Sequence, residues 1–173
     1  ANITTSGDTS SQIGATTSDQ SVIDIIQSII GRIAPNLNLD DAHSSTLTLS
    51  SDMRMNSLGV VCQQEVNRFN NLLNVILTTL NTLSTAIQGL VVISPDLEQM
   101  YADMLVHKVP KIWQRAAYPS LKTLGSWIDD LNHRVEFIRS WLTMGSPKAF
   151  WISGLFFPQG FITGMLQLHA RKT

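Results

Sequence analysis

The residues able to act as metal ligands, nucleophiles or proton carriers are few and scattered. His43, His107, His133 and His169 stand at no spacing that would bring two imidazoles onto one helix face, as the i, i+4 pair of a zinc-binding helix requires. They read as separate surface or core histidines. Asp129 and Asp130 are adjacent, so on a helix their carboxyls point about 100° apart. Such a pair suits a solvated acidic face better than a general acid and base sharing one substrate. The single cysteine, Cys62, lies within a periodic apolar pattern and reads as a packed thiol. It cannot form an internal disulfide, and a reducing compartment is its simplest setting. No G-x-x-x-x-G-K-[ST] loop offers amides and a lysine to a nucleotide phosphate. No catalytic, cofactor-binding or metal residue is therefore assigned.

One group of charges is more suggestive. Lys108, Lys111, Arg115 and Lys122 surround Ile112 and Trp113 in a stretch punctuated by Pro110 and Pro119. A basic connection around an aromatic side chain suits a contact with another protein. Equally, the cations suit a solvated connection whose long stems cover the core while Trp113 plugs it. Trp127, Trp141 and Trp151 read as core packing rather than a ligand cage. Charge is unevenly divided: residues 1–107 hold three basic against ten acidic side chains, and residues 108–173 hold nine against three. The net charge of -1 argues against a dedicated nucleic-acid binder, which needs a net basic face to displace counterions.

The elements that position these groups follow from apolar spacing. Apolar residues make up 43% of the chain and charged residues 14%, against roughly 25% charge in a typical soluble domain, so much of the surface is expected to be covered. Residues 1–18, rich in Thr, Ser and Gly, predict an extended arm. Val22, Ile26, Ile29 and Ile33 predict a short amphipathic helix over 19–34, capped at Ser18-Asp19 and ended by Pro35. Residues 35–57 read as a linker with one short helical turn. Cys62, Val66, Phe69, Leu73, Ile76, Leu80, Leu83, Ile87 and Leu90 recur at alternating steps of four and three, predicting a long helix over about 58–89. Its Asn- and Thr-rich flanks favour packing within a bundle over a solvated coiled coil.

Ser94-Pro95-Asp96 opens a further helix with Leu97, Met100, Tyr101, Met104 and Leu105 on one face. Pro119-Ser120 is expected to start another, with Leu121, Leu124, Trp127, Ile128, Leu131, Val135, Ile138 and Trp141 inward, closed by Gly145 and Pro147. AFWISGLFF at 149–157 reads as an extended segment, too short for the roughly 18 apolar residues of a membrane span. Pro158 then opens a last helix carrying Phe161, Ile162, Met165, Leu166 and Leu168. No secretion signal opens the sequence, and its end in mid-pattern at ARKT suggests a piece of a longer polypeptide. The fold class is all-α: a helical layer or bundle with one long helix, several shorter ones and an extended N-terminal arm.

The stretches QEVNRFNNLL (64–73), GLVVISPDLEQMYADMLVHKVPKIW (89–113), YPSLKTLGSWIDDL (118–131) and FWISGLFFPQGFITGMLQLHARK (150–172) follow one another in this order. Together they resemble the C-terminal region of dynein heavy chains, with FWISGLFFPQGF and LHARK similar to the axonemal type. The resemblance spans 58–173 and extends more weakly to the opening ANIT, while 34–57 matches nothing specific.

It implies four parts: 1–18, an arm leaving the last AAA+ module; 19–34, a short helix; 35–57, a linker; and 58–173, the helical part of the C-terminal domain, ending before a small β-rich cap. The parent would be an ATP-driven, minus-end-directed microtubule motor in the cytoskeleton of a cilium or flagellum, with ATP and magnesium bound elsewhere and no cofactor in this stretch. The segment itself would be non-catalytic, packing on neighbouring AAA+ modules and modulating the ring, with microtubules and other dynein subunits as partners of the parent. No nucleic-acid or membrane partner is implied. Lying under a cap and beside the ring, the final third would present Phe150, Trp151, Phe156, Phe157 and Phe161. Phe156 and Phe157 thereby join Lys108, Lys111, Trp113, Arg115 and Lys122 as candidate protein contacts. The alternatives are an independent helical adaptor or scaffold, and a membrane-associated helical protein built on 149–168.

Overall fold

A computed structural model describes residues 8–49 and 56–172, with the side chains of 17–49 and 56–171. The helices are α1 (Asp8–Arg32), α2 (Ser57–Ile87), α3 (Pro95–Leu105), α4 (Lys111–Ala116), α5 (Leu124–Met144) and α6 (Pro158–Lys172), with short 3-10 turns at Leu39–Asp41 and Ile152–Gly154. No β-strand occurs among the described residues, so the all-α class holds.

The central post is α2, which packs against α1, α3, α4, α5 and α6. Its 31 residues span about 46 Å at 1.5 Å per residue. Cys62, Val66, Phe69, Leu73, Ile76, Leu80 and Leu83 are buried as the four-three spacing requires. Val61, Glu65 and Leu72 are buried too, because neighbours on several sides demand a wider stripe than a two-helix seam. Asn56 caps the start by accepting from the Leu58 amide at 2.9 Å. At the other end Gly89, at φ 76, turns the backbone so that its own amide reaches Ala86 O at 3.0 Å and the Leu90 amide reaches Thr85 O at 3.2 Å, the paired bonds of a Schellman stop. Leu90, expected as the last seam residue, therefore lies beyond the helix and is exposed.

The first helix begins upstream of the expected Ser18-Asp19 cap. The segment packed through Val22, Ile26 and Ile29 supplies the costly nucleus, and adding further turns to it is easy. Residues 1–7 of the expected arm lie outside the described residues, and α1 runs from Asp8. Among the described residues of 35–57 a 3-10 turn forms at Leu39–Asp41, and 50–55 lie outside the described residues. This connection is held by amide side chains acting as substitute backbone. Asn70 of α2 accepts from the Leu37 amide at 2.7 Å and donates to its carbonyl at 2.8 Å. Asn132 of α5 does the same between the Ala34 amide and the Arg32 carbonyl, both at 2.8 Å. Farther along, the Thr46 hydroxyl and the His43 amide donate to carbonyls in the last turn of α5, which ends at Gly145 (φ 89).

Two expectations need correction in the second half. The fifth helix begins at Leu124, not at Pro119-Ser120: Pro119 disfavours helical geometry at Tyr118, and the Ser120 hydroxyl accepts from the Lys122 amide at 3.3 Å, offering the backbone a local alternative to a helix. Leu121, expected inward, is fully exposed as a result. The AFWISGLFF stretch is not extended, since Ile152–Gly154 forms a 3-10 turn tucked against the Trp151 ring, where Gly154 leaves no room for a Cβ. Leu124, Trp127, Ile128, Leu131, Val135, Ile138 and Trp141 are all buried as expected.

Candidate functional site

The basic connection forms one wall of an open cleft. Capped by Ser94, whose hydroxyl accepts from the Leu97 amide, α3 stops with His107 at φ 56; the His107 carbonyl then accepts from the Leu124 amide at 2.9 Å. That bond ties the end of α3 to the start of α5. Asp103, buried on α3, spans the same corner: it accepts from Gln99 Nε2 at 3.0 Å and from the Lys111 amide at 3.3 Å, supplying the cap that Pro110 cannot. Residues 117–123 then pass over the surface. A cavity of about 760 Å³ lined by Val109, Gln114, Tyr118, Leu121, Lys122 and Trp127 opens there, beside a second of about 440 Å³ that adds Lys108 and Lys111.

Of the expected contact residues, Lys108, Lys111, Arg115 and Lys122 are exposed around this region. Arg115 lies 3.6 Å from Asp96 and Lys122 lies 3.7 Å from Asp130. Trp113 is different. It is fully buried, stacks on Trp127 with ring centres 5.8 Å apart, and donates from Nε1 to Thr79 Oγ1 at 2.8 Å. Its expected role as a contact is corrected: it plugs the core, because an indole whose N–H finds a partner on α2 contributes most when desolvated.

Phe156 and Phe157 sit at the entry to α6. Their amides donate to the two oxygens of Glu65, at 2.6 Å and 3.0 Å, so one carboxylate on α2 anchors the turn that launches α6. Phe156 is half-buried, packed edge-on against Phe69 (5.3 Å) and Tyr118 (5.5 Å), whereas Phe157 is exposed beneath the Arg68 guanidinium at 4.8 Å. Of the other aromatics expected at the surface, Phe161 is buried, Phe150 is half-buried and Trp151 is exposed. Beyond them α6 turns Ile162, Met165 and Leu166 outward. A second apolar surface, Leu90–Val91–Val92–Ile93, is exposed in the loop at the opposite end of α2.

Glu65 and Leu121 escaped the sequence reading. A lone acid one helical turn from both Val61 and Phe69 was the available signal for Glu65; Leu121 gave none, because its periodicity pointed inward. Burial pushes the Glu65 carboxyl above its ordinary 4.5, against the pull of the two amides and of Arg68 and Arg134. Burial and this neighbouring acid push the Cys62 thiol up to about 12, which leaves it protonated at neutral pH. Arg134 lies over the Tyr118 ring at 3.9 Å and bonds Asp130 at 2.8 Å; the Tyr118 hydroxyl is buried without a hydrogen-bond partner. No group of three His, Cys, Asp or Glu side chains comes together among the described residues. The geometry thus offers contact surfaces: a lysine-rimmed cleft and two apolar faces.

Known proteins of similar sequence bear on these surfaces. A family model, described as the C-terminal domain of the dynein heavy chain, matches residues 2–173, including the 34–57 stretch that the sequence left unmatched. The protein is 49% identical over 154 residues to human dynein axonemal heavy chain 6, an overlap of 89% of its own length and 4% of that relative. It is 43% identical over 163 residues to human dynein axonemal heavy chain 1 (94% and 4%), and 41% identical over 154 residues to rat dynein axonemal heavy chain 12 (89% and 5%). It thus spans about a twentieth or less of the length of these curated relatives.

Proposed function

The protein belongs to the family of dynein heavy-chain domains that lie at the C-terminus, and from that membership we propose that it is a non-catalytic helical layer of an axonemal motor, packing on neighbouring AAA+ modules of the same heavy chain and modulating their movement. The parent is an ATP-driven, minus-end-directed microtubule motor of a cilium or flagellum whose nucleotide and magnesium sites lie elsewhere in the heavy chain. One observation carries the reading: α2 bears exposed apolar surface at both ends, the Leu90–Ile93 loop at one and the outer face of α6 at the other. Contiguous exposed apolar surface marks a place where another body sits. A stiff helix about 46 Å long between two such contacts transmits displacement from one to the other.

The test is the double variant Ile162→Asp, Leu166→Asp in the intact heavy chain. Both side chains are exposed, so the domain still folds, while two carboxylates oppose burial against a neighbour. Gliding velocity and microtubule-stimulated ATPase are expected to change relative to each other with nucleotide affinity retained. Unchanged velocity and ATPase would sink the reading.

A further inference from the structure

The lysine-rimmed cleft is not used by that reading, which rests on other residues. From its charge and shape we propose that it is a docking site for an acidic polypeptide segment carrying one bulky apolar side chain between its carboxylates. Three observations support it. First, residues 108–122 contain four basic side chains and no acidic one. Lys108 and Lys111 have no ion-pair partner among the described residues. Of the acids nearby, Asp96 pairs with Arg115, and Asp130 with Arg134 at 2.8 Å and Lys122 at 3.7 Å, whereas Asp103 is held by the neutral Gln99 side chain and Lys111 amide and keeps its charge. With Lys108 and Lys111 set against the single carboxylate of Asp103, the rim presents a net positive charge, which steers and orients an anionic partner.

Second, the floor is largely apolar, with the Arg134 guanidinium lying over the Tyr118 ring. Val109, Tyr118 and Trp127 line the larger cavity, which at about 760 Å³ has room for one large side chain with its flanking backbone. Third, Leu121 is fully exposed on the lip between Ser120 and Lys122. It faces water with no packing in return, so it is the side chain that gains most from a partner. Apolar centre and cationic rim together match the usual division of a protein contact. A phosphate backbone would use the lysines but leave floor and Leu121 unsatisfied, and a flat lipid surface cannot enter a concave site.

The probe is a fluorescein-labelled peptide of sequence EEDFEDE, titrated by polarisation against the intact heavy chain. Replacing Lys108, Lys111 and Lys122 together by Gln is expected to weaken binding about tenfold or more and to flatten its salt dependence. Leu121→Ser is expected to weaken EEDFEDE several-fold while leaving the control EEDAEDE unaffected. Lys148→Gln, an exposed lysine outside the cleft, should change neither. Equal affinity of the triple variant and the parent overturns the proposal. So does loss of affinity for the two peptides alike on Leu121→Ser, or triple-variant sensitivity confined to phosphatidylserine vesicles or to duplex DNA.

Discussion

Glu65 shows how much one side chain decides here. A carboxylate buried on α2 is costly to desolvate, yet its two oxygens accept from the Phe156 and Phe157 amides, one each. Glutamine has the same shape but one carbonyl oxygen, so Glu65→Gln turns an NH₂ group toward one of those amides. It is expected to cost about 1–3 kcal/mol at neutral pH in a denaturant melt. The pH dependence follows from the raised carboxyl pKa. The folded state holds its proton to higher pH than the unfolded state does. The Glu65 contribution is therefore complete below the ordinary 4.5 and declines as pH rises through the folded value. The advantage of the parent over Glu65→Gln should accordingly narrow from pH 4 to pH 8. A gap that widens with pH would mean that the two amides outweigh burial.

Between elements, α6 closely approaches the first turns of α2. A Cβ placed on Gly164 would lie 2.9 Å from a Val61 methyl and 3.5 Å from the Ser57 carbonyl oxygen. Valine is stiff at χ1 and cannot swing aside, so the helices must separate. Alanine favours a helix by about 1 kcal/mol over glycine, but overpacking costs about 1–3 kcal/mol, and Gly164→Ala is expected to lower stability by about 1 kcal/mol net. The denaturation midpoint checks this; a higher midpoint would mean that α6 sits farther from α2. The pairing of these helices was illegible in the sequence. Nothing in the sequence marks Gly164 as a contact, because the reason for a glycine there lies on Val61, far away in sequence. By contrast, the Gly89 stop and the Ser94-Pro95 start were legible, since each is a local bond pattern within a few residues.

At the scale of the whole molecule, the fold buries three tryptophans and the α2 seam yet leaves Ile162, Met165 and Leu166 outward on α6. Without a covering neighbour this face should drive self-association of the 173-residue polypeptide at high concentration. The Ile162→Asp, Leu166→Asp variant should restore a monomer, as read by sedimentation velocity. A parent polypeptide that remains monomeric throughout would show the face to be too small to associate. The long helix, the α2 seam from Cys62 to Leu83 and the inward set of α5 from Leu124 to Trp141 were determined by sequence alone, because a 3.6-residue period is a property of neighbouring residues, whereas the starts of α1 and α5 and the short helix α4 were not. The family was also legible there, in ordered stretches from residue 64 to 172. Only the tertiary structure decided that Trp113 is a plug, that Leu121 is a lip, and that Asn70 and Asn132 stand in for backbone partners. Each of those outcomes depends on what lies opposite the side chain in space, and a one-dimensional period records which face of a helix turns inward without recording what it meets.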